Sequence, residues 1–198
     1  MSSRPGESVV LRRFTERDSI DELTQLLHRA YSDHAVAGRV FFASYQSVQD
    51  TANRLGQGEC WMAERETELV GTVTVAARHA VPVGYPAPTE AGSFWQLAVD
   101  PAFQGSGLGN RLLTLAEERI VALGSTKAVI DTSAHAVDLV AWYRRRGYLP
   151  IGTWQWDVTN YESVVLLKDL SADTRGAIGL LGPDHTQEGP NSPRQIWL

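Results

Sequence analysis

The residues whose types and spacing most directly suggest chemistry lie near the middle of the chain. A short apolar stretch is followed by a proline and then by alternating glycines, in the order Leu97-Ala98-Val99-Asp100-Pro101-Ala102-Phe103-Gln104-Gly105-Ser106-Gly107-Leu108-Gly109-Asn110. The proline ends the predicted strand, and the glycines allow the backbone to approach a ligand closely. From Leu108 apolar residues recur at helical spacing as far as Leu123, and Gly124 suits the end of a helix.

The predicted helix start suits an anionic group. The first amides of a helix have no internal acceptor and lie at the positive end of the helix dipole, so a pyrophosphate placed there meets several donors. The residues that would supply these donors are Gly105, Ser106, Gly107, Leu108, Gly109 and Asn110. The alternative interpretation is structural, with glycines that only allow the helix to pack closely against the strand.

Two nucleotide-binding motifs are excluded by their spacing. A P-loop requires Lys and then Ser or Thr after its last glycine, but Gly109 is followed by Asn110 and Arg111. The dinucleotide fingerprint requires Gly-x-Gly-x-x-Gly directly after a strand. Here the glycines follow a proline turn and are spaced as Gly105-x-Gly107-x-Gly109.

The pattern Gln104-x-x-Gly107-x-Gly109, after the Leu97 to Pro101 strand and turn, resembles the central coenzyme A motif of the GNAT family of N-acetyltransferases. In that family the strand before the loop diverges from its neighbour, and its free backbone groups pair with the pantetheine arm of acetyl-CoA. The resemblance implies that Leu97, Ala98 and Val99 hold pantetheine and the acetyl carbonyl, with the N–H of Leu97 or Val99 as oxyanion donor. It implies that the residues from Gly105 to Asn110 bind the pyrophosphate.

A second segment strengthens the resemblance. The residues from Ser133 to Gly147 are predicted to form a helix, which contains Trp142-Tyr143 and is followed by Tyr148. The family has a tyrosine, then a glycine and an aromatic residue, at this place, and the tyrosine hydroxyl protonates the leaving thiolate. The resemblance implies that Tyr143 is the general acid. The alternative is a core tyrosine whose hydroxyl is satisfied elsewhere.

The group that accepts the proton of the attacking amine is left open by the sequence. Many relatives place a glutamate on the strand before the glycine loop, whereas this strand reads Phe94-Trp95-Gln96-Leu97. Gln96 is not a base, although it can hydrogen-bond an acceptor or a water. The candidates are Asp131, His135, His79 and His34, and deprotonation by solvent is a further alternative.

The order of the predicted elements is that of the family: a strand, two helices, three strands, a helix, a strand, a helix and two strands. The expected fold is therefore the α/β (α+β) GNAT fold, a mixed, mostly antiparallel sheet of about seven strands that splays at the cofactor strand and is flanked by about four helices. Residues 1–170 are assigned to this domain. Residues 171–198 form a tail with Gly and Pro, either flexible or docked on the body or on a second subunit, so a homodimer is one expectation.

Composition excludes several other classes. A chain of 198 residues that is 43% apolar can bury one substantial core. Its net charge of −5 argues against non-specific nucleic-acid binding, and no stretch reaches membrane-spanning length. The lone Cys60 has no disulfide partner and the first residues are polar, so a cytoplasmic protein without a nucleic-acid or membrane partner is expected. No metal site is expected.

The acceptor is predicted only as a class. In the family it is recognised by the loop between the first two helices and by the last strands, and here those regions carry Tyr31, Phe41, Phe42, Tyr45, Trp154, Trp156 and Tyr161. Such a wall favours an amine with an apolar or planar body, and Asp33, Glu90 or Glu162 could attract a cation. The first hypothesis is transfer from acetyl-CoA to a small-molecule primary amine. The alternatives are a protein or peptide N-acetyltransferase and a non-catalytic acyl-CoA-binding module.

Overall fold

The computed structural model describes residues 8–78 and 81–171. Its seven strands form one sheet in the spatial order β1-β2-β3-β4-β5-β7-β6. The strands are β1 (Val10–Arg13), β2 (Glu59–Arg65), β3 (Glu68–Ala76), β4 (Gly92–Val99), β5 (Lys127–Ser133), β6 (Leu149–Gln155) and β7 (Glu162–Asp169).

Helices cover both faces of the sheet. In the described part of the chain they are α1 (Ile20–Val36), α2 (Val48–Leu55), α3 (Leu108–Ala122) and α4 (Val137–Arg145). On α3 the apolar stripe includes Leu112, Leu113 and Ile120, which are fully buried. Burial of a side chain of this size contributes about 1.5–3 kcal/mol to folding. The stripe of α1, with Leu23 and Leu27, packs with Cys60 and Ala98 in a separate cluster.

The sheet opens between β4 and β5. These two strands are parallel, whereas all the other neighbouring strands are antiparallel. Their pairing covers only Gly92 with Ala128 and Ser93 with Val129, so the rest of β4 has no partner strand on that side. The structure thus has the mixed, mostly antiparallel and splayed sheet that the sequence predicted.

The helix predicted from Ser133 to Gly147 was placed too early. Strand β5 continues to Ser133, which pairs with Ser163 of β7. A turn follows, in which the Ala136 N–H donates to the Ser133 carbonyl (3.0 Å), and α4 begins only at Val137. Ser133, the first residue of the predicted helix, therefore belongs to the sheet, because it pairs with β7, a strand that follows later in the chain.

Two expectations concern residues whose structure is not described. The predicted tail lies outside the described residues except for its first residue, Ser171, and His79 also lies outside them.

Across residues 8–78 and 81–171, no helix has the length and apolar character needed to cross a bilayer.

Candidate active site

Strand β4 carries a bulge next to the opening in the sheet. Thr72 of β3 pairs with Ala98 and Thr74 pairs with Trp95, so two residues of β4, Gln96 and Leu97, lie opposite one residue of β3. Gln96 has a φ of +53°, in the left-handed region that side chains other than glycine rarely adopt. The bulge therefore holds strained backbone at the place where β4 leaves β5.

The backbone beyond the bulge is oriented by two hydrogen bonds. The Asp100 N–H donates to the Val70 carbonyl of β3 (2.9 Å), and successive amides of a strand point to opposite sides. The Val99 N–H therefore faces away from β3, toward the opening. The Leu97 carbonyl accepts a hydrogen bond from the Tyr31 hydroxyl (3.0 Å), so α1 holds this part of the strand in place.

The glycine-rich loop forms the left-handed turn that its composition predicts. Gly105 and Gly107 have φ values of +75° and +85°, and Gly107 is the N-cap of α3. The first hydrogen bond within this helix start runs from the Arg111 N–H to the Gly107 carbonyl (3.2 Å). The amides of Gly109 and Asn110 therefore have no acceptor inside the helix, as an anion site requires.

Two side-chain contacts from distant elements hold the ends of this loop. The Asp100 carboxylate accepts hydrogen bonds from Arg29 Nε on α1 (2.9 Å) and from the Ala102 N–H (3.0 Å). The Asn110 Oδ1 accepts a hydrogen bond from Trp142 Nε1 on α4 (3.0 Å). Sequence reasoning did not find these contacts, because they join elements that are far apart along the chain.

A cavity of about 530 Å³ occupies the opening between β4 and β5. The predicted cofactor residues that line it are Leu97, Ala98, Val99, Gln104 and Gly109. The others do not line it and lie in the turn and first residues of α3: Gly105, Ser106, Gly107, Leu108 and Asn110. Five of the ten predicted cofactor residues therefore line the cavity, and the other five lie next to it in the loop and the first residues of α3.

Tyr143 of α4 lines the same cavity. Its ring is 6% exposed and packs against Phe94, Trp142 and Tyr148. Its hydroxyl has no hydrogen-bond partner among the residues that the structure describes. Burial raises the pKa of Tyr143 well above its usual value, so the hydroxyl keeps its proton at neutral pH and is available as a donor.

Asp131 of β5 also lines the cavity, on the side opposite β4. Its Oδ1 accepts a hydrogen bond from the Tyr85 hydroxyl (3.1 Å), and its Oδ2 accepts one from Trp156 Nε1 (2.8 Å). An ionised carboxylate has about four lone-pair sites, so Asp131 retains capacity for further donors. Among the three candidate bases that the structure describes, Asp131 alone combines access to the cavity with a free accepting position.

The two histidine candidates that the structure describes, His34 and His135, are placed less well than Asp131 to accept a proton in the cavity. His34 lines the cavity, but its Nδ1 accepts a hydrogen bond from Arg39 Nη2 (3.2 Å), because arginine has only donors. Burial, and then the Arg39 charge, lower the pKa of His34, so its ring is neutral at pH 7. His135 is exposed in the turn before α4 and does not line the cavity.

Several of the aromatic residues that were predicted to recognise the acceptor line the cavity, but the predicted acids do not. The aromatic residues expected there that do line it are Tyr31, Phe41, Phe42, Trp156 and Tyr161; Tyr45 and Trp154 do not. None of the acids Asp33, Glu90 and Glu162 lines it, and Glu90 pairs with Lys127 (2.9 Å). The acid that does is Asp131.

Sequence reasoning missed one cation in the wall of the cavity, Arg54 of α2. Its guanidinium lies 5.4 Å from the centre of the Phe42 ring. It follows the fully buried Thr51 by three residues, a spacing that places both on one helix face. That spacing was the available signal, although a single arginine on a short helix carries little information by itself.

The residue in the place of the family's glutamate is buried. Gln96 is 3% exposed, its Oε1 accepts a hydrogen bond from Thr74 Oγ1 (3.1 Å), and its Nε2 has no acceptor among the described residues. Within the same described part of the chain, no group of three or more His, Cys, Asp or Glu could hold a metal ion.

A splayed parallel pair of strands beside a glycine-rich helix start is the sheet and helix arrangement expected of the GNAT fold. The sequence profile of the Acetyltransferase (GNAT) family matches residues 20–148 of the chain. The protein belongs to this family, whose members use acetyl-CoA, and it is an acetyltransferase.

Two characterised relatives and one solved structure resemble the chain. The S-(2-succino)cysteine N-acetyltransferase of Bacillus subtilis strain 168 is 30% identical over 146 residues, which are 71% of this chain and 84% of the relative. The S-alkylcysteine N-acetyltransferase of the same organism is 26% identical over 145 residues, 70% of this chain and 78% of the relative. A GNAT family acetyltransferase of Elizabethkingia anophelis, solved with acetyl-CoA bound, has a TM-score of 0.58 at 17% identity and covers 83% of this chain and 100% of its own.

The glycine loop yields a prediction for cofactor affinity. We expect Gly107→Ala to weaken acetyl-CoA binding about tenfold, because a left-handed φ costs a residue with a Cβ about 1–2 kcal/mol and relaxation of that strain moves the first amides of α3. The matched control is Gly124→Ala, since Gly124 has a similar φ of +95° and also has space for a Cβ. Calorimetry should show that Gly124→Ala binds acetyl-CoA as tightly as the parent protein. We expect both variants to lose thermal stability, because both place a Cβ at a positive φ. Parent affinity in Gly107→Ala would separate the loop from cofactor binding.

Proposed function

We propose that the protein transfers the acetyl group of acetyl-CoA to the primary amine of a small molecule by direct attack. The observation that carries the proposal is the meeting of the unpaired edge of β4, the glycine-rich start of α3 and the Tyr143 hydroxyl at one opening in the sheet. The names of the two relatives, both N-acetyltransferases of cysteine derivatives, support a small acceptor. We place the enzyme in the cytoplasm, a compartment that suits its unpaired Cys60.

The residues present fit acetyl-CoA, which supplies the activated acetyl group. The backbone of Leu97, Ala98 and Val99 would pair with the pantetheine arm, as an added strand does at an open sheet edge. The start of α3 would bind the pyrophosphate through backbone amides, with the set Gln104, Gly105, Ser106, Gly107, Leu108, Gly109 and Asn110. The two glycines with positive φ lack a Cβ on this side, so the loop can approach the phosphates closely.

Three groups of the chain would then serve the reaction. The Val99 N–H, which faces away from β3, is placed to donate to the oxygen on which negative charge develops. Asp131 would accept a proton from the nitrogen, directly or through a water, as the new N–C bond makes that nitrogen acidic. Tyr143 would donate its proton to the departing sulfur, and its buried, protonated hydroxyl suits that role.

The proposal is tested by measuring thiol release from acetyl-CoA in the presence of pooled small-molecule amines and, separately, of peptides. We expect release in the small-molecule pools that depends on both the acceptor and the enzyme. Release with peptides alone would identify a peptide acetyltransferase instead. Acetyl-CoA binding by calorimetry without release in any pool would favour a non-catalytic binding module, which the glutamine at position 96 would suit.

A further inference from the structure

Arg54, the cation in the cavity wall, has no counter-ion among the residues that the structure describes. Arg54 Nε is buried and has no hydrogen-bond acceptor, and no carboxylate of the described residues lies within 4.0 Å of the guanidinium. The acid one turn earlier on α2, Asp50, is engaged in the N-terminal capping box with Ser47. Arg54 is partly buried, and this burial lowers the pKa of its guanidinium because the charged form is less well solvated there than in water. An unpaired buried charge destabilises the folded protein. Such a cost is expected at a functional site, where an anionic ligand would supply the missing partner of Arg54.

The opposite charge in the cavity is held away from Arg54. Among the described residues that line the cavity, Asp131 is the only acid, and its two oxygens accept hydrogen bonds from Tyr85 and Trp156 instead. Arg54 and Asp131 nevertheless interact electrostatically. One cavity therefore presents to a ligand a positive and a negative group that form no ion pair with each other.

Other polar groups of the wall also favour an anionic or accepting ligand. Trp95 and Gln96 also line the cavity, and their Nε1 and Nε2 atoms are buried and have no acceptor in the described part of the chain. Together with Arg54 Nε, these two nitrogens are three buried N–H donors that have no acceptor among the described residues. Buried donors are nearly always paired in native structures, so a ligand with acceptor oxygens suits this wall.

We propose that Arg54 binds a carboxylate of the acceptor, and that the acceptor is an α-amino acid with an apolar or aromatic side chain. Its amine lies toward Asp131 and its carboxylate toward Arg54, and its side chain contacts the aromatic wall that includes Phe41, Phe42 and Tyr161. A guanidinium suits this task because its planar donors can bind both oxygens of a carboxylate. This inference rests on the proposed function, since it names the acceptor class of the same site.

The test compares two probes that differ only in the carboxylate. S-benzylcysteine carries an α-carboxylate and an aromatic body, and S-benzylcysteamine is the same molecule without the carboxylate. Their binding to the CoA-saturated enzyme is measured by calorimetry, which needs no turnover. We expect the parent to bind the amino acid about 10- to 100-fold more tightly than the amine, as a charge-assisted, partly buried contact should allow.

Variants at Arg54 assign that preference to one residue. Arg54→Leu should abolish the preference by weakening the binding of S-benzylcysteine, and Arg54→Lys should restore part of it. The matched control is Arg17→Leu, which removes the same charge from an exposed position outside the cavity and should keep the full preference.

Equal binding of both probes by the parent would overturn the inference, and so would a preference that survives in Arg54→Leu. Failure of the parent to bind either probe also overturns it, because the acceptor class is then wrong. Thiol release with the same probes separates this inference from the proposed function. If both probes are acetylated equally well, the proposed transferase function stands and the proposed role of Arg54 is wrong. If binding depends on Arg54 but no thiol is released, the role of Arg54 stands and the proposed function is wrong.

Discussion

Tyr143→Phe should lower kcat about 100- to 1,000-fold while the affinity for acetyl-CoA remains near that of the parent. Tyr143 lines the cavity, and the substitution removes only its hydroxyl, which has no hydrogen-bond partner among the described residues. The ring contacts with Phe94 and Tyr148 remain, so we expect no loss of folding. The loss falls on kcat because the departing thiolate no longer receives a proton from a positioned acid.

The measurement is thiol release with an acceptor found in the pooled assay, together with calorimetry of acetyl-CoA binding. Tyr148→Phe is the control, since Tyr148 is fully buried close to Tyr143 but does not line the cavity. Because the pKa of Tyr143 is raised, its ionisation should produce no fall in kcat up to about pH 10. Unchanged turnover in Tyr143→Phe would remove this residue from the mechanism.

The second large effect is expected at Asp131, whose replacement by Asn should lower kcat/KM about 100-fold or more. Asn is nearly isosteric, but its amide carries no charge to attract the amine and has no basic oxygen to accept a proton. It also leaves one of the donors Tyr85 and Trp156 without its acceptor, since the amide nitrogen cannot accept. Activity and the structure of the wall therefore both depend on the carboxylate.

The pH profile separates these two contributions. With the carboxylate removed, solvent must accept the proton from the nitrogen, so the residual rate of Asp131→Asn should rise with pH more steeply than the rate of the parent. A purely structural role would lower the rate by the same factor at every pH. Asp33→Asn removes an exposed carboxylate of α1 outside the cavity and should match the parent. A profile of unchanged shape would leave solvent as the base.

The start of α3 was predictable because its signals are local. Gly107 supplies the left-handed cap, apolar residues recur from Leu108, and Gly124 adopts the φ of +95° that ends many helices. Neighbouring residues determine such preferences, so the helix begins at the predicted residue. The same locality explains why the coenzyme A motif and the family were recognisable without the fold.

The start of α4 was predicted incorrectly because it depends on a distant strand. Residues from Ser133 carry no strong signal against a helix, yet pairing with β7 extends β5 to Ser133. The conformation of Gln96 is non-local in the same way, since its positive φ follows from a register shift against β3. Strand ends and bulges depend on cross-strand partners that a reading along the chain does not reveal.

Local patterns in the chain were enough to predict the family, the cofactor loop and the candidate acid Tyr143. They could not show that Arg54 of α2 and Asp131 of β5 face one cavity, nor that Asp33, Glu90 and Glu162 lie outside it. These charges belong to elements that meet only through the order of the strands and the packing of helices on the sheet. Charge placement in the acceptor site is therefore a product of long-range packing, whereas the cofactor loop follows from backbone preferences of adjacent residues.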